Sequence, residues 1–528
     1  MTQVYKLLLI VLVSISALSC TQNTGKVKSS EKIKPNVIVF VTDDLGIGRF
    51  KYAIENYSLE QLKNSYINTP DSILYKELEY SEKSMPFMTK MAKEGVYFTN
   101  AFATHPFCSP SRFGILSGQY QQNYGVWMGP ELLWSETVMK SSTLMPKYFK
   151  DAGYNTGLIG KWHLGSSELN GGLQKSQHPV SKGFDTAFFF TSAGTRNYDP
   201  LRMFENFEAV KPIGETAELF TERAIKFIDD SEMKDEPFFL YLPYQIPHGD
   251  MSTLVAPKYF HEISSELNYE DNNLKARIAT TKEGRKVNYN ANILSMDRSI
   301  QNIFEHLEAS GQLENTIFVF TNDQGARHGL PFPANNPYKG HKGQIEEGAL
   351  RVPILFYAPG FIKKNKLRDE RVMTFDILPT LLSMCNIVPE NLQIDGKDLS
   401  GNFAKVDSQQ VQVHDYLVWT GVENALQGRK ERGYKKPNVS KLNCVWMIQD
   451  EYFCLRYEYQ VGFELFEIND IERKSNLAEV MPEKVQELLT KYNGWKDRMV
   501  VKEPLKSNFK WQWDQFHSDE ADRCAEAL

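Results

Sequence analysis

Cysteine is scarce in this chain. Six cysteines among 528 residues, at positions 20, 108, 385, 444, 454 and 524, are too few for a disulfide-stapled scaffold. An excess of basic residues is also missing. The formal net charge is −6, so no global cationic footprint points to nucleic acid, and any anion must be met by cations gathered locally. Beyond residue 20 no stretch is apolar and long enough to span a bilayer, and no internal repeat is visible.

What the sequence does contain starts with MTQVYKLLLIVLVSISALSC, which has one lysine, an apolar stretch from Leu7 to Val13, and small residues before Cys20. This is the layout of a signal peptide over residues 1–20, and it predicts an exported protein, in the periplasm or at the cell surface. Ala17-Leu18-Ser19-Cys20 also resembles a bacterial lipobox, which would make a lipid on Cys20 the one link to a membrane; a plain cleaved signal is the alternative. Residues 21–35 then read as a polar tether.

Five short apolar runs, NVIVFVT (36–42), NTGLIG (155–160), PFFLYL (237–242), TIFVFT (316–321) and PILFYA (353–358), suit parallel strands buried on both faces. Helical patterns between them, such as 85–95, 143–153 and 294–311, predict an α/β domain over 36–405 built on a large, doubly wound, mostly parallel sheet. Hairpin-like runs and one helix then predict a smaller antiparallel α+β subdomain over 406–528. If Asp450-Glu451 turn one of these hairpins, Cys444 faces Tyr457 and Cys454 faces Met447, on opposite faces and unbridged. Cys385 reads as a small buried apolar residue.

The predicted strand ends carry the chemistry. Asp43 and Asp44 follow the first, Lys161 and His163 the second, His248 the third, and Asp323 and Gln324 the fourth, and in an open parallel sheet these ends share one rim. Gathered carboxylates repel unless a cation sits among them, and all-oxygen donors best suit Ca2+, with Mg2+ second. Arg112, Lys161, His163, His248 and Lys342 form a complementary set suited to a tetrahedral oxyanion, phosphate or sulfate. Cys108 fits poorly, because a soft thiolate gains little from a hard metal.

These residues fall in motifs that resemble the formylglycine-dependent sulfatases of the alkaline phosphatase superfamily. Cys108-Ser109-Pro110-Ser111-Arg112 matches their C-x-P-S-R signature, and GKWHLG (160–165), PYQIPH (243–248), FVFTNDQG (318–325) and HKGQIEEGALRVP (341–353) follow in family order. The likeness extends over about residues 36–500 and implies sulfate ester hydrolysis, most plainly on a sulfated polysaccharide or oligosaccharide. It implies that a maturation enzyme converts Cys108 to formylglycine before folding. One hydroxyl of the aldehyde hydrate then attacks sulfur and releases the alcohol; the other loses its proton, so that the hemiacetal collapses and expels sulfate.

Carried over by residue, Asp43, Asp44, Asp323, Gln324 and residue 108 would hold Ca2+, while Arg112 and His163 would orient and deprotonate the hydrate. Lys161, His248 and Lys342 would hold the sulfate oxygens, and His248, or alternatively Lys342, would protonate the leaving alcohol. Ser192 is a further sulfate-binding candidate, and Arg327 and His328 are candidate pocket residues. Trp127, Trp419, Trp511, Trp513 and the tyrosines between Tyr52 and Tyr80 are candidate sugar platforms. Gln324 stands where Asn is common, Ala349 replaces a frequent Gly, and Arg49 takes the place of a usual Asp. A phosphonate monoester or phosphodiester hydrolase of the same superfamily, and a non-catalytic carbohydrate-binding relative, are the competing readings.

Overall fold

The run NVIVFVT folds as β1 (Asn36–Thr42), and all seven residues are buried because both faces of the strand are covered. Ile38 and Phe40 enter one core, which also takes residues from the helices Pro86–Glu94, Thr216–Glu232 and Lys282–Ala309. Val37, Val39 and Val41 enter a second core with the helices Cys108–Ser117, Met145–Asp151 and Ile377–Met384. A period-two strand with apolar side chains on both faces needs this sandwiching.

This computed structural model describes residues 34–54, 79–127, 136–165, 173–248, 255–266, 281–330, 334–362, 366–403, 412–424, 442–459 and 461–500. The signal, residues 21–33 of the tether, Cys20, Cys524, Trp511, Trp513 and residues 55–78, with the tyrosines among them, lie outside them.

The other strands of the large sheet are β2 (Val96–Phe98), β4 (Asn155–Lys161), β5 (Thr186–Phe190), β6 (Met203–Glu205), β7 (Glu208–Val210), β8 (Phe238–Pro243), β9 (Thr316–Asn322), β10 (Ile354–Tyr357) and β11 (Lys366–Arg368). A short pair, β3 (Ala101–Phe102) with β12 (Val372–Met373), stands apart. The order is β11-β2-β10-β9-β1-β8-β4-β5-β6-β7, and the run from β9 to β5 is parallel. One expectation fails here: PILFYA supplies β10, which pairs antiparallel with β9. The described residues of the segment between them contain only a short helix, Glu347–Leu350, so β10 re-enters the sheet from the edge where β9 leaves it. That segment carries Lys342.

The C-terminal strands β13 (Leu417–Asn424), β14 (Leu442–Gln449), β15 (Phe453–Glu458) and β16 (Gly462–Glu467) form an antiparallel sheet in sequence order. The helix Pro482–Arg498 packs against it, with Tyr492 stacked on Trp446 at 3.9 Å. The β14–β15 register differs by two residues from the expected one: Trp446 pairs with Tyr457 and Gln449 with Cys454. Asp450 is the cause, since its Oδ1 accepts from the Tyr452 and Phe453 N–H groups and centres the turn on Glu451-Tyr452. A shift of two keeps each side chain on its face, and Cys454 is a free thiol. Cys444 is disulfide-bonded.

A buried ionic cluster fastens this sheet to the rim. Arg456 of β15 is fully buried and meets Glu458 (2.9 Å), Glu464 (3.0 Å), Glu346 (3.5 Å) and the Ile345 carbonyl (3.3 Å). Arg456→Met leaves three carboxylates buried around an apolar chain and is expected to cost about 3–5 kcal/mol in urea unfolding. Lys147→Ala, which removes an exposed pair with Asp151, should cost under about 1 kcal/mol. Equal small losses would mean that the Arg456 carboxylates find other partners.

Candidate active site

Parallel pairing of Thr42 with Asn322 brings the next residues, Asp43 and Asp323, side by side at the sheet rim. Asn322 locks the two loops together: its Oδ1 accepts from Thr42 Oγ1 (2.8 Å) and the Leu45 N–H (3.2 Å), and its Nδ2 donates to the Leu45 carbonyl (2.7 Å). Asp44 adopts a left-handed backbone, φ 61°, and carboxylate oxygens of Asp43, Asp44 and Asp323 all lie within 4.8 Å of one another. A Cβ on Gly325 would stand 1.9 Å from the Gly348 carbonyl oxygen, so only glycine lets the Gln324 loop pass under the Glu347–Leu350 turn.

Cations surround the carboxylates. The helix Cys108–Ser117 presents Cys108 at its first position and Arg112 one turn on. Arg112 is fully buried, with Nε and Nη2 at 2.9 and 2.8 Å from Asp323 Oδ2, and Nη2 at 3.3 Å from Asp43. Lys161 Nζ donates to Asp43 Oδ2. Lys342 Nζ lies 2.8 Å from Asp44 Oδ1 and 3.0 Å from Cys108 Sγ. His248 Nε2 is 3.8 Å from Asp44 Oδ2, and His163 sits in a left-handed conformation, φ 52°, with a buried Nδ1 that has no hydrogen-bond partner.

Burial and charge set the protonation states. Burial would raise the Asp43 carboxyl, but Lys161, His248, Arg112 and Lys342 hold it well below the usual range. Asp323 is pushed up to about 7 by burial and by Asp43. Burial, with Lys161 and Arg112, lowers the His163 imidazole well below its ordinary value, and burial is the main cause that lowers His248 to about 4. Lys342 is held well above its ordinary value by Asp44, Cys108 and Asp43, despite burial. Burial and Asp43 push the Cys108 thiol up to about 12, so it is no thiolate nucleophile at neutral pH.

The donor set fits a hard divalent cation. Gln324 Nε2 donates to Asp44, while its buried Oε1 has no hydrogen-bond partner among the described residues and stands beside three clustered carboxylates. The structure thus brings together Asp43, Asp44, Cys108, Arg112, Lys161, His248, Asp323, Gln324 and Lys342, with His163 next to Lys161 on the same rim.

Other expected residues make different contacts, although Gly194 of the Ser192 loop stands against His248. Ser192 Oγ donates its proton to the Gly194 carbonyl (2.8 Å) within its own loop. Trp127 and Trp419 are core residues: Trp127 packs edge-on against Trp495, and Trp419 Nε1 donates to the Ala103 carbonyl. Tyr52 and Tyr80 are buried too, so none of these four rings is a sugar platform. Arg49 is buried and donates to Asn290, so that departure ties the segment after β1 to the helix Lys282–Ala309. Asn322, Asn335 and Ser111 were not legible as site residues. Asn335 clamps Ala326 through both of its polar atoms, and Ser111 Oγ donates to the Asp323 carbonyl (2.5 Å). Ser111 sat in a quoted motif, whereas the asparagines gave no signal beyond ordinary loop polarity.

A family model described as Sulfatase matches residues 35–387. The chain is 27% identical over 497 residues to the uncharacterized sulfatase YdeN of Escherichia coli (strain K12), covering 87% of this chain and 85% of that protein. It is also 27% identical over 394 residues to an ulvan-active sulfatase of Formosa agariphila, covering 74% and 69%. The fold matches the crystal structure of Ps i-CgsB in complex with k-i-k-neocarrahexaose with a TM-score of 0.70 at 22% identity, over 92% of this chain and 99% of that one.

Near the site, fully buried His105 accepts the Phe107 N–H on Nδ1 (3.2 Å), and burial lowers its pKa to about 3. A base whose folded value lies below the ordinary 6.5 contributes its full stability above pH 6.5 and loses it as pH falls toward 3. Within that window His105 should add a slope of roughly 1.4 kcal/mol per pH unit to the unfolding free energy. His105→Gln should flatten the curve by that amount in urea titrations between pH 6.5 and 4.5; an unchanged slope would contradict a buried neutral imidazole.

Proposed function

The chain belongs to the sulfatase family and is a sulfuric ester hydrolase, and from that premise we propose that it strips sulfate from a sulfated polysaccharide or oligosaccharide, using Ca2+ and a formylglycine made from Cys108. The observation that carries this reading is a quiet, buried thiol in contact with Lys342 and Asp43, inside an all-oxygen cation cradle. The carbohydrate assignment is supported by the names of two similar proteins, one ulvan-active and one solved with a neocarrahexaose. The signal layout extends the proposal to an exported enzyme that meets its maturation enzyme before folding.

Asp43, Asp44, Asp323, Gln324 and residue 108 are the residues that would hold Ca2+. The ion supplies positive charge for the nucleophilic and sulfate oxygens, and formylglycine supplies, as its hydrate, the hard oxygen nucleophile that a thiol lacks. The rest is done by the chain itself. Arg112, fixed by two carboxylates, orients the nucleophile, and His163, kept neutral, is free to take its proton. Lys161, His248 and Lys342 supply donors to the sulfate oxygens. Of the two expected proton donors to the leaving alcohol, His248 is lowered to about 4 by burial and is neutral, whereas Lys342 is held protonated and takes that role.

Cys108→Ala should lower sulfate release from sulfated oligosaccharides at least about a thousandfold. Full activity in that variant would sink the mechanism, and so would an intact thiol, by peptide mass spectrometry, in active protein. An aryl phosphonate cleaved faster than an aryl sulfate would favour the phosphonate hydrolase reading. Separately, adding Ca2+ to chelated protein should raise the melting temperature with ion concentration, and Asp323→Asn should weaken that response. A flat response would argue against the cation cradle.

A further inference from the structure

Arg327 is the unusual cation on the rim. Other arginines with buried side chains all have polar partners: Arg112, Arg351, Arg368, Arg456 and Arg473 each meet a carboxylate, Arg49 donates to Asn290, and Arg371 donates to the Asp450 and His414 carbonyls. Arg327 is half-buried, its Nε is buried without a hydrogen-bond partner, and it has no ion pair among the described residues. A guanidinium kept partly out of water without an acid is arranged for a ligand that supplies one.

Its position relates it to the catalytic rim. The Lys342 N–H donates to the carbonyl of Ala326 (3.0 Å), so the Arg327 segment runs beside the residue whose Nζ reaches Asp44 and Cys108. Tyr289 lies within electrostatic reach of both Asp44 and Arg327. Next to Arg327, the His328 ring packs on His341 with centroids 4.7 Å apart, which makes a partly open shelf of polar rings at the same edge. The proposed donors to the scissile sulfate are Lys161, His248 and Lys342, leaving Arg327 with no role toward that group.

We propose that Arg327 binds a second anionic group of the substrate, a sulfate or a uronate carboxylate on a sugar next to the scissile ester. The inference rests on the sulfatase reading and narrows it to saccharides that carry more than one negative charge. Both groups offer paired oxygens to a guanidinium, so the chemistry is shared between them.

The test compares Arg327→Gln and Arg327→Lys with the parent enzyme on four probes: nitrophenyl sulfate, a monosulfated neutral disaccharide, its disulfated form, and its uronate-bearing form. R327Q should lower kcat/KM roughly 10-fold to 100-fold, chiefly through KM, on at least one doubly anionic sugar. On the singly anionic probes it should change by less than about 2-fold, and R327K should recover part of the loss. The doubly anionic probe that is affected identifies the group. An equal loss on all four probes, or no loss on either doubly anionic sugar, would overturn the assignment. Titrating the same sugars into Cys108→Ala protein, with and without R327Q, separates the two readings. Weaker binding of a doubly anionic sugar supports Arg327 even if no sulfate ester is turned over, and unchanged binding counts against it even if turnover is robust.

Discussion

Three carboxylates at neighbouring strand ends cannot remain ionised in a water-poor cleft unless equal positive charge is placed against them. Arg112, Lys161 and Lys342 provide it, each from a different element: a helix, the end of β4 and the rim segment after β9. With both active-site histidines held neutral and Asp323 pushed up to about 7, the cleft lies between neutral and slightly positive before any ligand arrives. The proposed divalent cation would shift the balance to positive, and an anionic ester would shift it back. Cation and substrate therefore suit each other as well as the protein, and the site is organised for an anion although the chain as a whole is acidic.

That balance depends on parts far from the chemistry. Lys342 belongs to the segment whose return forces β10 to run antiparallel, and this segment is held from behind by the C-terminal sheet. Arg456 grips Glu346 and the Ile345 carbonyl, Arg473 meets Glu346 (3.2 Å), and Ile345 lies against Gly421 of β13. Trp419 reaches across to Ala103, a few residues before Cys108. The small sheet is thus a buttress that fixes the Lys342 segment and the approach to the catalytic helix.

Much of this was legible in the sequence because motif residues and strand ends coincide. Asp43, Lys161 and Asp323 stand at the ends of continuous apolar runs, and in a parallel sheet that alone places them on one rim. The direction of β10 was hidden, since a buried strand has the same apolar pattern whichever way it runs. The β14–β15 register was hidden by a side-chain effect, the Asp450 carboxylate capping two N–H groups, which composition does not show. Trp127 and Trp419 misled because an aromatic ring reads the same whether it stacks on sugar or fills a core. The clamps of Asn322 and Asn335 depend on loops that meet only in the folded chain.

The burial of Cys108 bears on when the residue can be modified. Its side chain is 4% exposed, set in the first turn of a helix whose ten residues are all buried, and touched by Lys342 and Asp43. An enzyme acting on that thiol would need to reach it, and in the folded protein this would require unpacking the helix together with the ion pairs of Arg112. Those pairs are buried and mutually dependent, so partial opening leaves charges uncompensated. The same packing would therefore close the site to the proposed maturation, and on that proposal conversion of Cys108 would have to come before the sheet rim assembles.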